Sequence, residues 1–376
     1  MQQSLESWFH SAMSLVMDAS DQPIAVMSPA LPSASLVLPY LELMDDSQTY
    51  SNFGPLVTKL ERRYADLLGV SCRQVVTSTN ATLAIAGAIA TLGKAEWTVP
   101  AWTFPATAHA PLLVGRRLSF ADISQDSWLL GDDSRPKRGE DRGRIPVIPF
   151  GATFQLNDFD LEEECLVIDA AASLGNLPSL QDLPESWAVV FSLHATKILG
   201  CGEGALTIFG SSKAANEFRA WSNFGFAGSR IPQSAATNAK MSEIAAAYAL
   251  TSLDQWNTTE ASWRRVHATA LAISKSHGLA RSPRADASVS PYWIGVFKDE
   301  STARRTELTF ASNAIDTRRW WPVSLANSPA FSIYAREAYP NCDLLSRVTL
   351  GLPMHLALTQ EDFNRIDAAL ATAFLP

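Results

Sequence analysis

Cysteine is scarce: four in 376 residues, none in a CxxC pair. Cys72, Cys165, Cys201 and Cys342 lie too far apart in so large a chain for a disulfide framework, and they read as reduced thiols, which points to the cytoplasm. Histidine is scarce too, with six residues and no HExxH-like spacing, so no metal site is expected. No lysine or arginine precedes Lys59, so the basic start of a secretory signal is missing. The most apolar run, ATLAIAGAIATLG from Ala81 to Gly93, is too short for a bilayer and is interrupted by threonine and glycine; it reads as a buried helix. Positive charge is outnumbered, 30 Lys and Arg against 38 Asp and Glu, for a net charge of -8. That balance excludes the basic footprint that nucleic acid or an anionic membrane surface needs, though a locally positive pocket remains open. There is no GxSxG elbow, no GxxxxGK[ST] phosphate loop and no internal repeat. Asn80-Ala81-Thr82 and Asn257-Thr258-Thr259 match the glycosylation pattern, which a cytosolic chain does not use.

What is present is the composition of an ordinary globular protein, 47% hydrophobic and 18% charged, long enough for a large domain and a smaller one. The first fifty residues are polar and proline-bearing, and loops with one or two short helices are expected there. After SNFGP, the run LVTKLERRYADLLG places Leu56, Leu60, Tyr64, Leu67 and Leu68 on one helical face, with Pro55 suited to its start and Gly69 to its stop. Strand-like runs then alternate with helical ones: QVV, EWTVP, RRLSFAD, IPVIPF, CLVIDAA, WAVVFSL and ALTIFG. Such alternation predicts βαβ units and a mostly parallel sheet, with ligands at the carboxyl ends of its strands. Asp122, Asp169 and the segment Ser192–Lys197 fall at those ends. From Met241 to about Ser276 the pattern is helical without Pro or Gly, predicting one long connector. Beyond it lie a strand (SPYWIGVF), a helix over 301–313 and a last helix over 361–373. The expected organisation is an N-terminal segment over 1–50, a large α/β domain over 51–240, a connector helix over 241–278 and a small α+β domain over 279–376.

Within this frame FSLHATKILGCGEGA, Phe191 to Ala205, sets Lys197 between apolar residues beside a glycine cluster. A lone lysine in such a setting is more often a snorkelling side chain than a nucleophile. The glycines permit tight turns and close approach, but GCGEGA has the wrong spacing for a dinucleotide fingerprint and a strand follows it. Asp169 ends the apolar run CLVID, where an acid is costly unless paired or at a site; alone it could equally cap a helix or meet an arginine. The coincidence of the two is informative. Pyridoxal phosphate chemistry needs a lysine that holds the cofactor, a carboxylate for the pyridinium nitrogen and a phosphate cup. TSTNATLA offers the cup, with Ser78, Thr79 and Asn80 where a strand yields to a helix; a plain helix cap is the simpler alternative and is compatible. PAWTFPATAHA supplies Trp102 and Phe104 as candidates for stacking on a planar ring.

The order of motifs from about Ser51 onward resembles the DegT/StrS-type nucleotide-sugar aminotransferases, a fold type I pyridoxal-phosphate family. The resemblance is carried by SNFGPLVTKLERRYADLLG, PAWTFPATAHAPLLVGRRLSFADI, LVIDAAASLG, FSLHATKILGCGEGAL, SNFGF, TNAKMSEIAAAYAL and SRVTLGLPMHLALTQEDFNRI. It implies a large domain with a mostly parallel central sheet plus a smaller C-terminal α+β domain, pyridoxal 5'-phosphate as cofactor, and a cytoplasmic homodimer with shared active sites. By position, Lys197 would form the Schiff base and Asp169 would face the pyridinium nitrogen. Ser192 would bind the phosphate, Asn238 would reach it from the second subunit, Thr79 and Asn80 would complete the cup, and Phe104 would stack on the ring. The family's Gly-Thr is Thr79-Asn80 here, its polar residue three beyond the aspartate is Ala172, its Arg-Met is Lys240-Met241, and the stretch WWPVSLANSPAF lacks a histidine. The implied reaction passes an amino group from glutamate to a nucleotide-linked ketosugar; SNFGP and RRWWP look most like members acting on 4-keto-6-deoxy sugars. Two alternatives are a sugar dehydratase of the same family, which the presence of Lys197 disfavours, and a cofactor-binding regulatory protein without turnover. A third is a structural Lys197 in an enzyme without cofactor.

Overall fold

The computed structural model describes residues 22–131, 134–137, 140–159 and 164–374. Its centre is a seven-stranded sheet in the order β1-β7-β6-β5-β4-β2-β3, formed by β1 Val75–Ser78, β2 Glu96–Pro100, β3 Arg117–Ala121, β4 Arg142–Arg144, β5 Leu166–Asp169, β6 Trp187–Ser192 and β7 Ala205–Phe209. β2 through β6 run parallel, and β7 is antiparallel to both its neighbours, β1 and β6. The apolar runs of the sequence are continuous because both faces of the sheet are covered. Along β6, Trp187, Val189 and Phe191 enter one core, whereas Ala188 and Val190 enter the other.

Helices α1 Ala34–Ser47 and α2 Pro55–Leu68 cover the first face. Gly54 precedes Pro55 at the start of α2, and Gly69 ends it at φ 69. The Glu243 carboxylate accepts the N–H groups of Leu56 and Val57 at 2.6 and 3.1 Å, so the open helix start is satisfied from far along the chain. Leu56, Leu60, Tyr64 and Leu68 are buried as the spacing predicts, but Leu67 is exposed: it lies on the flank of the stripe that faces solvent. The second face carries α3 Ala81–Leu92, α4 Pro105–Leu113 and α5 Ser212–Trp221. Gly87 lets α3 lie against α5, since a Cβ there would come within 2.4 Å of Phe218 and 2.5 Å of Trp221.

The expected strand IPVIPF is displaced. Regular pairing ends at Arg144, and within the run Val147 makes only an isolated bridge to Asp169. Pro146 and Pro149 have no N–H to give to a ladder. The expected single connector is two helices, α6 Glu243–Asp254 and α7 Trp256–Ser276, interrupted at Gln255. No breaker residue marks the interruption; α6 packs on α1 and α2, whereas α7 packs toward the far unit.

That unit holds β8 Ala280–Arg281, α8 Glu300–Ser312, α9 Pro340–Val348, β10 Thr349–Leu352, α10 Gln360–Ala373 and, between β8 and α8, β9 Trp293–Val296. The strands form a three-stranded antiparallel sheet in the order β10-β9-β8, and α8 packs on α10. The Asp299 side chain caps α8 at Thr302 N–H, 2.7 Å away. An early segment joins this unit: Ile24 N–H bonds to Ala314 O, Asp316 N–H to Ile24 O, and Met354 N–H to Val26 O, at 2.8–3.1 Å. Residues 22–27 are thus partners of the C-terminal unit, within what the sequence marks as a separate N-terminal segment.

Candidate functional site

The carboxyl ends of β5 and β6 open into a cavity of about 440 Å³. Asp169, the last residue of β5, reaches it with 5% of its surface exposed. Its carboxylate accepts the Thr107 hydroxyl at 2.7 Å and the Ala171 N–H at 3.2 Å. Thr107 is in turn paired with Thr103 at 3.1 Å, so α4 orients the acid. Burial pushes the Asp169 carboxyl above its ordinary value, against the hydrogen bonds of Thr107 and Ala171 and the charge of Lys197, which pull it down.

Lys197 sits in the connection from β6 to β7. Ser192 pairs with Ala205, Leu193 N–H bonds to Gly204 O and Ala195 N–H to Gly202 O, so the connection is a closed loop. Its first turn is tied by Lys197 N–H to His194 O at 2.8 Å. The Lys197 Nζ lines the cavity and donates to Tyr292 Oη at 2.7 Å.

The start of α3 forms another wall. Asn80 caps it, accepting Leu83 N–H at 2.9 Å. Asn80, Ala81 and Thr82 line the cavity with Ser192 and His194; the Ser192 hydroxyl accepts His194 N–H at 3.2 Å. The N–H groups of Ala81 and Thr82 carry no partner among the described residues, which suits a phosphate at a helix start. The other residues of TSTNATLA are spent differently. Thr77 gives its N–H and hydroxyl to Glu61, itself held by Arg219. Ser78 is fully buried and turned toward Asn80 O, so it does not line the cavity. Thr79 lines a neighbouring cavity of about 560 Å³, shared with Lys240.

Phe104, 61% exposed, lines the cavity; Trp102 is buried, donating its indole N–H to Trp321 O at 2.8 Å. Asn238 is exposed and pairs with Asn223, outside this cavity. Several lining residues escaped the sequence reading as site residues: Phe150, Tyr292, Arg318, Trp320 and Trp321. Phe150 stacks on Trp321 at 4.4 Å, and Arg318 lies over Trp320 at 4.8 Å with no carboxylate partner among the described residues. RRWWP was the available signal for the last three. Among the described residues no group of His, Cys, Asp and Glu could hold a metal, and no helix is long and apolar enough to cross a membrane.

The residues present fit pyridoxal phosphate: an amine, a buried acid, a helix start with free N–H groups, a hydroxyl and exposed aromatic surface share one cavity. Comparison with known proteins agrees with this chemistry. Residues 36–371 match the DegT/DnrJ/EryC1/StrS aminotransferase family. Over 250 residues the chain is 31% identical to the dTDP-4-amino-4,6-dideoxy-D-glucose transaminase of Shigella dysenteriae, covering 63% of this chain and 66% of that protein. The crystal structure of DesI in the presence of its TDP-sugar product is 29% identical, with a TM-score of 0.82 over 94% of this chain and 93% of that one. The aminotransferase TlmJ of Streptoalloteichus hindustanus shares the fold at 20% identity, with a TM-score of 0.79 over 93% and 98% of the two chains. The chain belongs to the DegT/DnrJ/EryC1/StrS aminotransferase family, and it is an aminotransferase.

Proposed function

We propose that this family member transfers an amino group from glutamate to a nucleotide-linked ketosugar, a 4-keto-6-deoxy sugar such as dTDP-4-dehydro-6-deoxyglucose, with pyridoxal 5'-phosphate as cofactor. The observation that carries the reading is the meeting of the Lys197 amine and the buried, doubly hydrogen-bonded Asp169 carboxylate in one cavity. Bound there, the cofactor supplies an electron sink for carbanion charge. Lys197 would hold it covalently, Asp169 would face its ring nitrogen, Phe104 would cover its ring, and Asn80, the start of α3 and Ser192 would take its phosphate.

Each of these residues has a task of its own. A buried carboxylate is stabilised in its charged form by a cation placed against it, so Asp169 would face the ring nitrogen of the bound cofactor and favour its protonated form. The amine of Lys197, once free, accepts the α-proton of the amino donor at Nζ and returns a proton to the product side. Loop closure at Ser192 and Ala205 keeps that nitrogen on station. Arg318 presents a guanidinium to an anionic substrate, and the names of the Shigella relative and of the DesI complex support a dTDP-linked sugar. Asn238 does not line this cavity in the single chain; it would serve the site of the second subunit of a cytoplasmic homodimer.

The test is reduction with borohydride followed by peptide mass mapping. The cofactor is expected on Lys197; protein loaded with pyridoxal phosphate but unmodified at Lys197 would overturn the reading. Lys197→Ala should abolish transamination and leave the circular dichroism spectrum of the fold unchanged. A panel of nucleotide-linked ketosugars with glutamate then identifies the acceptor, and turnover of any of them excludes a purely regulatory role.

A further inference from the structure

The wall of the cavity next to Asp169 is Ala171-Ala172, and it offers no side-chain hydrogen-bonding group. Yet the Lys197 nitrogen has a hydroxyl at 2.7 Å, delivered from 95 residues away by Tyr292, just before β9. That hydroxyl is the one hydrogen-bond partner of Nζ among the described residues.

Tyr292 is fixed from three sides. Its N–H bonds to Ser290 Oγ at 3.2 Å, and that hydroxyl donates to Phe150 O at 2.6 Å. Asn176 clamps the same segment, donating to Gly151 O at 2.8 Å and accepting Val289 N–H at 2.7 Å. The approach is close enough that a Cβ on Gly151 would come within 2.7 Å of Ser290 Oγ and 2.8 Å of Ala172 O. The phenol ring then packs edge-on between Phe150 and Trp320, with centroids 5.6 and 5.0 Å away. A side chain held this firmly, with its polar end on the reacting amine, is arranged for precision.

We propose that Tyr292 is the residue that positions the Lys197 amine, so that a tyrosine entering from the C-terminal unit supplies the hydroxyl that the Ala171–Ala172 wall lacks. The role rests on Lys197 being the cofactor-bearing and proton-carrying amine. Through it the catalytic nitrogen is tied to the seating of the C-terminal unit on the large domain, because Ser290, Asn176 and Phe150 span that junction.

Tyr292→Phe removes the hydroxyl and keeps the ring in place. Loaded with pyridoxal phosphate, this variant should still be trapped by borohydride on Lys197 and melt with the unchanged protein. Two readouts should move. The visible absorption at a fixed pH should change, since its protonated and unprotonated forms depend on what surrounds the Lys197 nitrogen. The kcat should fall about 10- to 100-fold, the weight of one hydrogen bond to a charged group, with KM for both substrates nearly unchanged. Ser290→Ala, which frees the Tyr292 backbone but leaves its hydroxyl, should move both in the same direction by less. If either readout of Tyr292→Phe stays at the wild-type value, the positioning role is overturned while the cofactor reading stands. If the unchanged protein itself is not trapped at Lys197, both fall together.

Discussion

Asp169→Asn should make the cofactor-free protein more stable and the enzyme inactive. The Asp169 carboxyl is 5% exposed, and burial outweighs the hydrogen bonds of Thr107 and Ala171 in pushing its proton affinity up. The sign follows from linkage. Below the ordinary carboxylate range, folded and unfolded chains both carry the proton, and the contribution to stability is full. As pH rises toward the elevated folded value, the unfolded chain ionises first, and stability is lost at about 1.4 kcal/mol per pH unit. Asparagine does not titrate, so it escapes this loss. Its amide also fits the existing partners: the carbonyl accepts Ala171 N–H, and the NH₂ donates to Thr107, whose hydroxyl can turn toward Thr103. Urea denaturation of the cofactor-free proteins between about pH 4 and pH 8 measures the effect. The two should be nearly equal at the acid end, and the variant should gain steadily until the folded carboxyl has ionised. A stability difference that is flat with pH, or that favours aspartate as pH rises, would refute the argument. Transamination by the variant should be lost because a neutral amide cannot balance a ring cation, and added pyridoxal phosphate should stabilise it less than the wild type.

Other outcomes follow from the same geometry. Arg318→Ala should raise KM for an anionic substrate about 10- to 100-fold with kcat within about twofold, the loss expected for a charge-assisted bond; unchanged KM for both glutamate and the nucleotide sugar would remove Arg318 from the site. Gly87→Ala should cost about 1–3 kcal/mol in denaturant unfolding, since its methyl meets the Phe218 and Trp221 rings where α3 lies on α5. Iodoacetamide at neutral pH should label Cys72 alone in the native protein, read by mass: Cys72 is exposed, whereas burial pushes the Cys165 and Cys201 thiols up to about 12 and Cys342 higher still.

The large α/β unit is legible in the sequence because its strands are largely buried and, except for β4, which is Arg142-Gly143-Arg144, appear as apolar runs between helical ones. Lys197 and Asp169 are legible because polar groups interrupt such runs where strands end. Reading failed where partners are remote. Nothing near Tyr292 in sequence announces that it touches Lys197, and the hydroxyl of Ser78 looks as available as that of Ser192, although only Ser192 lines the cavity. Gln255 interrupts a pattern without proline or glycine because α6 and α7 answer to different neighbours, a tertiary cause with no local mark. Leu67 counts as apolar in any periodicity, yet the stripe it borders is too narrow to cover it.

The pairing of residues 22–27 with the C-terminal unit has a consequence for how the protein is made. Met27 lines the cavity of Lys197, but its neighbours Ile24 and Val26 are held by Ala314, Asp316 and Met354. On the ribosome the early segment emerges long before those partners, and at ~5–20 residues per second it waits for tens of seconds with no strand to join. The sheet that carries Asp169 and Lys197 can assemble during that interval, whereas the wall that Met27 completes is closed only when β10 has been released. The cavity is therefore completed only when two segments about 290 residues apart in sequence have met.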